Sequence, residues 1–99
     1  MTYEITNPPP DLAVLVKGRL DTLTSPKLES ELEPSIAKAS SLVLDLAGVD
    51  YLSSAGLRLL LTLQKHFKRE GGSFKLRNIQ PGVMEILRMT GFLKILSVE

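Results

Sequence analysis

The chain has 99 residues, 43% hydrophobic and 23% charged, with a formal net charge of +1 at pH 7. This length and balance predict one globular domain spanning residues 1–99. The near-neutral charge argues against direct nucleic-acid binding, and no apolar run reaches the roughly 18 residues of a membrane span. Cysteine is absent, which excludes disulfides and cysteine-ligated metals and favours a cytoplasmic protein; we expect no metal and no cofactor.

Three strands are predicted in the first half of the chain. Apolar and polar residues alternate along Tyr3–Thr6, whereas Leu12–Lys17 has apolar residues on both faces of the predicted strand. A proline-rich turn separates the two segments. These two strands should pair antiparallel. Leu42–Leu46 is almost continuously apolar, which is typical of a strand that is covered on both faces.

A helix is predicted between the second and third strands. Thr24 or Ser25 is expected to cap it, with Pro26 in its first turn, where a missing N–H is tolerated. Pro34 lies inside the same helix and removes a backbone hydrogen bond, so a kink or break is expected near Glu33. The buried stripe of this helix consists of Leu28, Leu32 and Ile36.

A second helix is predicted from Ser54 to Arg69, because the apolar period there changes from that of a strand to that of a helix. Ser53 and Ser54 lie where this helix must start. Ser54 is expected to expose a hydroxyl at the positive helix end, and Ser53 is expected to be a loop or cap residue. Gly56 allows another surface to approach the backbone, and Gly71-Gly72 should end the helix. The predicted apolar face contains Leu57, Leu60, Leu61 and Phe67, and the opposite face contains Arg58, Lys65 and Arg69.

The last third of the chain predicts a strand at Ser73–Arg77, a helix from Pro81 to Gly91 and a short strand at Ile95–Val98. The order β-β-α-β-α-β-α-β predicts an α/β fold: a mixed four- to five-stranded sheet with helices packed on it. Three loops should then meet at one edge of the sheet, which is where sites form in such folds. Asp21 and Ser54, on two of these loops, should be neighbours.

The chain resembles the STAS domain of anti-sigma factor antagonists. The resemblance is carried by the segment Leu42–Leu60, which contains the sequence YLSSAGL, and by Gly18-Arg19-Leu20-Asp21, which is similar to the G-x-L-D of that family. The spacing to Gly91-Phe92-Leu93 also fits, so the resemblance covers nearly the whole chain. Many family members have Asp directly before the phosphorylated serine, whereas this chain has Ser53.

The resemblance implies a non-enzymatic regulator. In the family, a partner that is both an anti-sigma factor and a GHKL-type serine kinase phosphorylates the serine that corresponds to Ser54. Only the unphosphorylated form binds this partner and releases the sigma factor. The partner-binding residues implied for this chain are Asp21, Thr22, Ser53, Ser54, Ala55, Gly56 and Arg58, and the protein is expected to be a monomer or a weak dimer.

Three other interpretations remain open. Ser54 can serve only as a helix cap, since serine is favoured there for structural reasons alone. The chain also resembles free-standing STAS subunits of lipid ABC transporters. A small enzyme with Ser54 as nucleophile is disfavoured, because the only histidine, His66, lies about three helical turns, or roughly 18 Å, beyond Ser54.

Overall fold

The computed structural model describes residues 1–99. Its strands are β1 (Thr2–Asn7), β2 (Asp11–Lys17), β3 (Ser41–Gly48), β4 (Ser73–Arg77) and β5 (Ser97–Val98), and its helices are α1 (Thr24–Ala37), α2 (Ser54–Arg69) and α3 (Pro81–Met89). The predicted order of elements is confirmed. The last strand is shorter than predicted because the N–H groups of Ile95 and Leu96 donate to the carbonyl of Phe92, in the 3-10 turn Phe92–Lys94, and not to β4.

The strands form one five-stranded sheet in the order β1-β2-β3-β4-β5. β1 pairs antiparallel with β2, as predicted, and every other neighbouring pair is parallel. Because each crossover steps to the next strand in the same direction, right-handed connections place the three helices on one face of the sheet. No helix has both the length and the sustained apolar character needed to cross a membrane.

The opposite face of the sheet carries no helix. Along β3 the buried leucines alternate with Val43 and Asp45, which are only half-buried. The prediction that this strand is covered on both faces is therefore wrong. The side chains on one face of β3 are fully buried, and those on the other face are partly buried by neighbouring side chains. The core of the sheet is formed by Leu12, Val14, Val16, Leu42, Leu44, Leu46, Phe74 and Leu76.

Helix α1 buries the predicted stripe of Leu28, Leu32 and Ile36. It runs unbroken through Pro34, so the break predicted near Glu33 is wrong. Pro34 lies in the last turn of the helix, and Ser30, whose carbonyl loses its usual donor, is exposed to water. Neither Thr24 nor Ser25 is the N-cap: Leu23 occupies that position without a side-chain hydrogen bond, and Ser25 is buried.

Helix α2 has the predicted bounds, but its buried face differs in part from the prediction. Leu57 and Leu61 are only half-buried. The residues that enter the core are Leu59, Leu60, Leu63 and Phe67, together with Gly56. Leucine occupies most positions between residues 57 and 63, so the periodicity alone could not determine which of these leucines face the sheet. Arg58, Lys65 and Arg69 are exposed, as predicted.

The two glycines after α2 end it in a Schellman motif. The N–H of Gly72 donates to the carbonyl of Phe67 at 2.7 Å, and the N–H of Gly71 donates to the carbonyl of Lys68 at 3.3 Å. Gly71 has a φ of 76°, which favours glycine. A Cβ on Gly72 would lie 2.1 Å from the carbonyl oxygen of Ser40. Both glycines are therefore required, for different physical reasons.

This close approach predicts that Gly72→Ala destabilises the fold. The added methyl group cannot fit without moving the backbone near Ser40, so the free energy of unfolding should fall by about 1–3 kcal/mol in urea titrations. Gly82→Ala is the matched control, because a Cβ there meets no atom within 4 Å. The control should be neutral or stabilising by up to about 1 kcal/mol. Equal effects of the two substitutions would contradict the steric argument.

Candidate functional site

Two loops are joined at the edge of the sheet where the parallel strands end. Leu20, in the loop between β2 and α1, forms an isolated parallel bridge with Leu52, in the loop between β3 and α2. The N–H of Leu20 donates to the carbonyl of Tyr51 at 3.1 Å, and the N–H of Ser53 donates to the carbonyl of Leu20 at 2.9 Å. The bridge brings the loops that carry Asp21 and Ser54 side by side, as the topology predicted.

The third loop at this edge, between β4 and α3, is attached to the end of β3. The carboxylate of Asp45 accepts hydrogen bonds from the N–H of Ala47 at 2.9 Å and from the side-chain amide of Asn78 at 3.0 Å. The side-chain amide of Gln80 donates to the carbonyl of Ala47 at 2.6 Å. Asp45 therefore has a structural task, since it holds two loops in register.

Ser53, rather than Ser54, caps α2. The Ser53 hydroxyl accepts hydrogen bonds from the N–H of Ala55 at 3.2 Å and of Gly56 at 3.4 Å. Ser54 follows as the first residue of the helix; it is exposed, and its hydroxyl makes no hydrogen bond within the chain. The interpretation of Ser54 as only a helix cap is thus wrong, and Ser53 is the cap, which is one of the two roles expected for it. Because Ser53 accepts the capping hydrogen bonds, the Ser54 hydroxyl is free at the positive end of the α2 dipole.

Gly56 allows a close approach, but the approaching surface belongs to the same chain. Gly56 is buried, and a Cβ built on it would lie 2.7 Å from the carbonyl oxygen of Leu20. This contact seats the first turn of α2 against the loop between β2 and α1. Because Gly56 is enclosed in this way, it does not fit the predicted role of a direct partner contact. Its effect is to position the neighbouring Ser54.

Asp21 is half-buried and caps the start of α1. Its Oδ1 accepts hydrogen bonds from the N–H of Thr24 at 2.9 Å and of Leu23 at 3.0 Å. These backbone donors, Thr24 first, lower the pKa of Asp21, and the Arg19 guanidinium adds a smaller effect in the same direction. A charged carboxylate is thereby held next to the loop that carries Ser54.

Three further residues at this edge were not singled out from the sequence. The side chain of Leu23 is 82% exposed and that of Tyr51 is 39% exposed. The guanidinium of Arg19 lies 4.5 Å from the centre of the Tyr51 ring, and its Nε lies 3.9 Å from Oδ2 of Asp21. Leu23 could have been recognised, because it lies outside the buried stripe of α1. The contact between Arg19 and Tyr51 depends on the loop bridge and has no local sequence signal.

We call the surface formed by these two loops and the start of α2 the docking rim. Its exposed or half-buried members are Arg19, Asp21, Thr22, Leu23, Tyr51, Ser53, Ser54, Ala55 and Arg58. Arg58 is on the same side of α2 as Ser54, because residues four apart are neighbours on a helix. The rim combines two exposed side chains with apolar area, charges of both signs and the free hydroxyls of Thr22, Tyr51 and Ser54. This composition suits a protein-binding surface better than a catalytic pocket.

The fold and this rim define a two-layer α/β interaction domain, and comparison with known proteins identifies its family. The family model described as "STAS domain" matches residues 2–99. The chain therefore belongs to the STAS domain family. It is 30% identical to the anti-sigma-B factor antagonist of Bacillus subtilis over 89 residues, which cover 90% of this chain and 82% of that protein.

A second curated relative agrees with this assignment, and two solved structures share the fold. A Bordetella bronchiseptica protein, BtrV, which is named as a candidate anti-sigma factor antagonist, is 35% identical over 88 residues that cover 88% of this chain and 76% of that protein. The unphosphorylated anti-sigma factor antagonist SpoIIAA superposes with a TM-score of 0.82 at 14% identity, covering 99% of this chain and 88% of that one. The phosphorylated form of Bacillus SpoIIAA gives a TM-score of 0.73, also at 14% identity, covering 99% of this chain and 89% of that one. The likeness to SpoIIAA shows the fold alone.

The different positions of Ser53 and Ser54 predict different effects on stability. Ser53→Ala removes the cap of α2 and should lower the free energy of unfolding by about 1 kcal/mol. Ser54→Ala removes a hydroxyl without a partner and should change it by less than about 0.5 kcal/mol. Urea unfolding of the two variants checks this difference. A larger loss from Ser54→Ala than from Ser53→Ala would contradict the observed cap.

The capping role of Asp21 predicts a stability contribution that depends on pH. Its pKa in the folded state lies below the ordinary value of 3.8. The charged form therefore stabilises the fold fully above that value, and this contribution disappears as the pH falls through the lower folded-state pKa. Asp21→Asn keeps an acceptor but loses the charge. It should melt below the wild type at pH 7, and the difference should shrink as the pH falls below 3.8.

Thermal unfolding across this pH range measures the convergence. Asp50→Asn provides the control, because Asp50 is exposed and makes no hydrogen bond or ion pair through its carboxylate. The control should follow the wild type at every pH. A difference between Asp21→Asn and wild type that stays constant down to low pH would show that the charge of Asp21 does not stabilise the start of α1.

Proposed function

We propose that this protein is an anti-sigma factor antagonist whose docking rim binds an anti-sigma factor and whose Ser54 is the phosphorylation site that controls this binding. One observation carries the proposal. Ser54 is exposed, its hydroxyl is unbonded, and Ser53 performs the capping that would otherwise occupy it. The relatives named as anti-sigma factor antagonists supply the class of partner.

The unphosphorylated rim has the features of a binding surface. Leu23 and Tyr51 provide exposed apolar area, and an aromatic side chain of this kind often anchors a protein interface. Asp21 and Arg58 supply charges that can fix the orientation of a partner. Because the loop bridge and the Gly56 contact hold these residues in place, little conformational freedom is lost on binding.

Phosphorylation of Ser54 would alter this surface strongly while leaving the fold intact. A phosphate adds about −1.5 to −2 charges and three strong acceptor oxygens. The first turn of α2 can accommodate it, because a helix N-terminus favours negative charge. A partner surface complementary to a neutral hydroxyl would have to desolvate that charge, and the neighbouring carboxylate of Asp21 would add repulsion. The occurrence of Bacillus SpoIIAA in both forms supports a switch on this fold.

The partner would catalyse the transfer of phosphate to Ser54. A GHKL-type serine kinase would supply ATP, Mg²⁺ and the general base, and this chain would supply only the acceptor hydroxyl. The surroundings of Ser54 support this division, because no side chain donates to or accepts from its hydroxyl. His66 instead lines a groove between α1 and α2 with Glu29 and Glu33, three turns further along α2.

Ser54→Asp tests the switch. The added charge should weaken binding of the anti-sigma factor by about 30-fold or more, because leaving a charge unpaired in an interface costs about 2–5 kcal/mol. Ser54→Ala should retain binding but resist phosphorylation. Tagged variants are used to capture partners from the native cell, the captured partner is identified by mass spectrometry, and its affinity for each variant is measured by calorimetry.

Ser30→Asp is the matched control, because Ser30 is exposed on α1 and lies outside the rim. It should bind the partner like the wild type. Undiminished affinity of Ser54→Asp, or phosphate transfer mapped to a residue other than Ser54, would contradict the switch. Capture of an ABC ATPase with its permease, in place of a kinase, would favour the transporter alternative.

A further inference from the structure

Arg58 is a cation of the docking rim that has no partner in the folded chain. Its side chain is exposed and forms no ion pair. The guanidinium of the other rim cation, Arg19, is already engaged, because it lies 4.5 Å from the centre of the Tyr51 ring and its Nε lies 3.9 Å from Oδ2 of Asp21. A negative group on Ser54 would therefore meet one engaged guanidinium and one free guanidinium.

The sequence of α2 offers Arg58 no carboxylate. Side chains three or four positions apart are neighbours on a helix, and for Arg58 these are Ser54, Ala55, Leu61 and Thr62. No acidic residue occurs anywhere in α2, although acidic side chains are favoured in the first turn of a helix. Phosphorylation of Ser54 would give Arg58 the anionic neighbour that this helix lacks.

Helix geometry directs the side chain of Arg58 toward Ser54. The Cα–Cβ bonds of an α-helix tilt toward its N-terminus, so a long side chain covers the turn before its own residue. Ser54 lies on that turn, four positions earlier, with a Cβ–Cβ separation of about 5–6 Å. An acid that precedes a base by four positions also forms a better pair than the reverse order. A phosphate on Ser54 would thus lie on the favourable side of Arg58.

We propose that Arg58 is the counter-ion of the phosphate on Ser54. The planar guanidinium donates two hydrogen bonds to phosphate oxygens within one turn of α2. This inference rests on the proposed function for the presence of the phosphate, and on the helix alone for the pairing. Phosphorylation then changes the docking rim in two ways, because it adds negative charge and also neutralises the one free cation.

The ionisation of the phosphate tests this ion pair. Phosphoserine is incorporated at position 54 of the full chain by nonsense suppression, so neither the kinase nor the anti-sigma factor is needed. Phosphorus NMR follows the second ionisation, whose ordinary pKa is about 6. Arg58→Gln should raise this pKa and lower the ionisation constant about twofold, because a nearby cation favours the doubly charged form. Arg58→Lys keeps the charge and should lower the constant less.

Other charged groups near the phosphate are the same in the wild type and in Arg58→Gln. The two rim loops carry Arg19 and Asp21 before α1 and Asp50 before α2, and the loop before α3, residues 78–80, carries none. Asp21 and Asp50 raise the pKa of the phosphate, and Arg19 lowers it. Since all three remain in place, a difference between the two proteins measures the contribution of Arg58.

Arg69→Gln is the matched control, because it removes the same charge from an exposed position on the same helix. Arg69 follows Ser54 by fifteen positions, or about 22 Å along α2. This distance exceeds the screening length of about 8–10 Å, so the pKa of the phosphate should not change. An equal change in Arg58→Gln and Arg69→Gln, or no change in Arg58→Gln, would overturn the ion pair.

Thermal unfolding measures the same pair as a stability difference. Four proteins are compared: the wild type and Arg58→Gln, each with serine or phosphoserine at position 54. Phosphorylation should raise the melting temperature by about 2–4 °C more in the wild type than in Arg58→Gln, because an ion pair four positions apart stabilises the helix. The comparison removes every effect of the phosphate that does not involve Arg58. An equal or smaller rise in the wild type would contradict the pairing.

The ion pair and the switch in partner binding are tested by separate measurements. If Ser54→Asp leaves the affinity for the anti-sigma factor unchanged, the proposed function is wrong, while the pKa and the melting temperatures still decide the pairing. If partner binding responds as proposed but the pKa of the phosphate does not respond to Arg58→Gln, the switch holds and Arg58 is not the counter-ion.

Discussion

The pairing of Leu20 with Leu52 is the interaction on which the arrangement of the docking rim depends. It extends the parallel pairing of β2 and β3 beyond the ends of both strands and joins two loops that would otherwise be independent. The absence of a side chain at Gly56 then lets the first turn of α2 rest on Leu20. A small domain can in this way hold a loop surface rigidly without a disulfide or a metal.

The start of each of the first two helices is stabilised by a polar residue of the loop before it. Asp21 performs this role for α1 and Ser53 for α2. The two caps have different consequences for the surface, since one adds a fixed negative charge and the other is neutral. Ser54 follows the second cap, and its hydroxyl makes no hydrogen bond within the chain, so a change of charge there alters the surface with little effect on the fold.

Helix α2 links two surfaces of different chemistry. Its N-terminus contributes the free hydroxyl of Ser54 to the docking rim, and its C-terminal half carries the exposed Lys65 and Lys68. The interior of the helix is fixed by Leu60, Leu63 and Phe67 in the core. Because the same rigid element supports both surfaces, each can be altered by substitution while the other serves as a check on folding.

The sequence by itself determined the order of elements, the antiparallel first hairpin, the bounds of α2 and the edge of the sheet at which the loops meet. These follow from local periodicity, glycine and proline positions and the handedness of crossovers, all of which act within short stretches of chain. Only the tertiary structure decided which serine caps α2, which leucines are buried and that β3 has one open face. It also decided that Arg19 covers Tyr51. These features depend on contacts between segments that are far apart in the sequence, so local sequence patterns do not predict them.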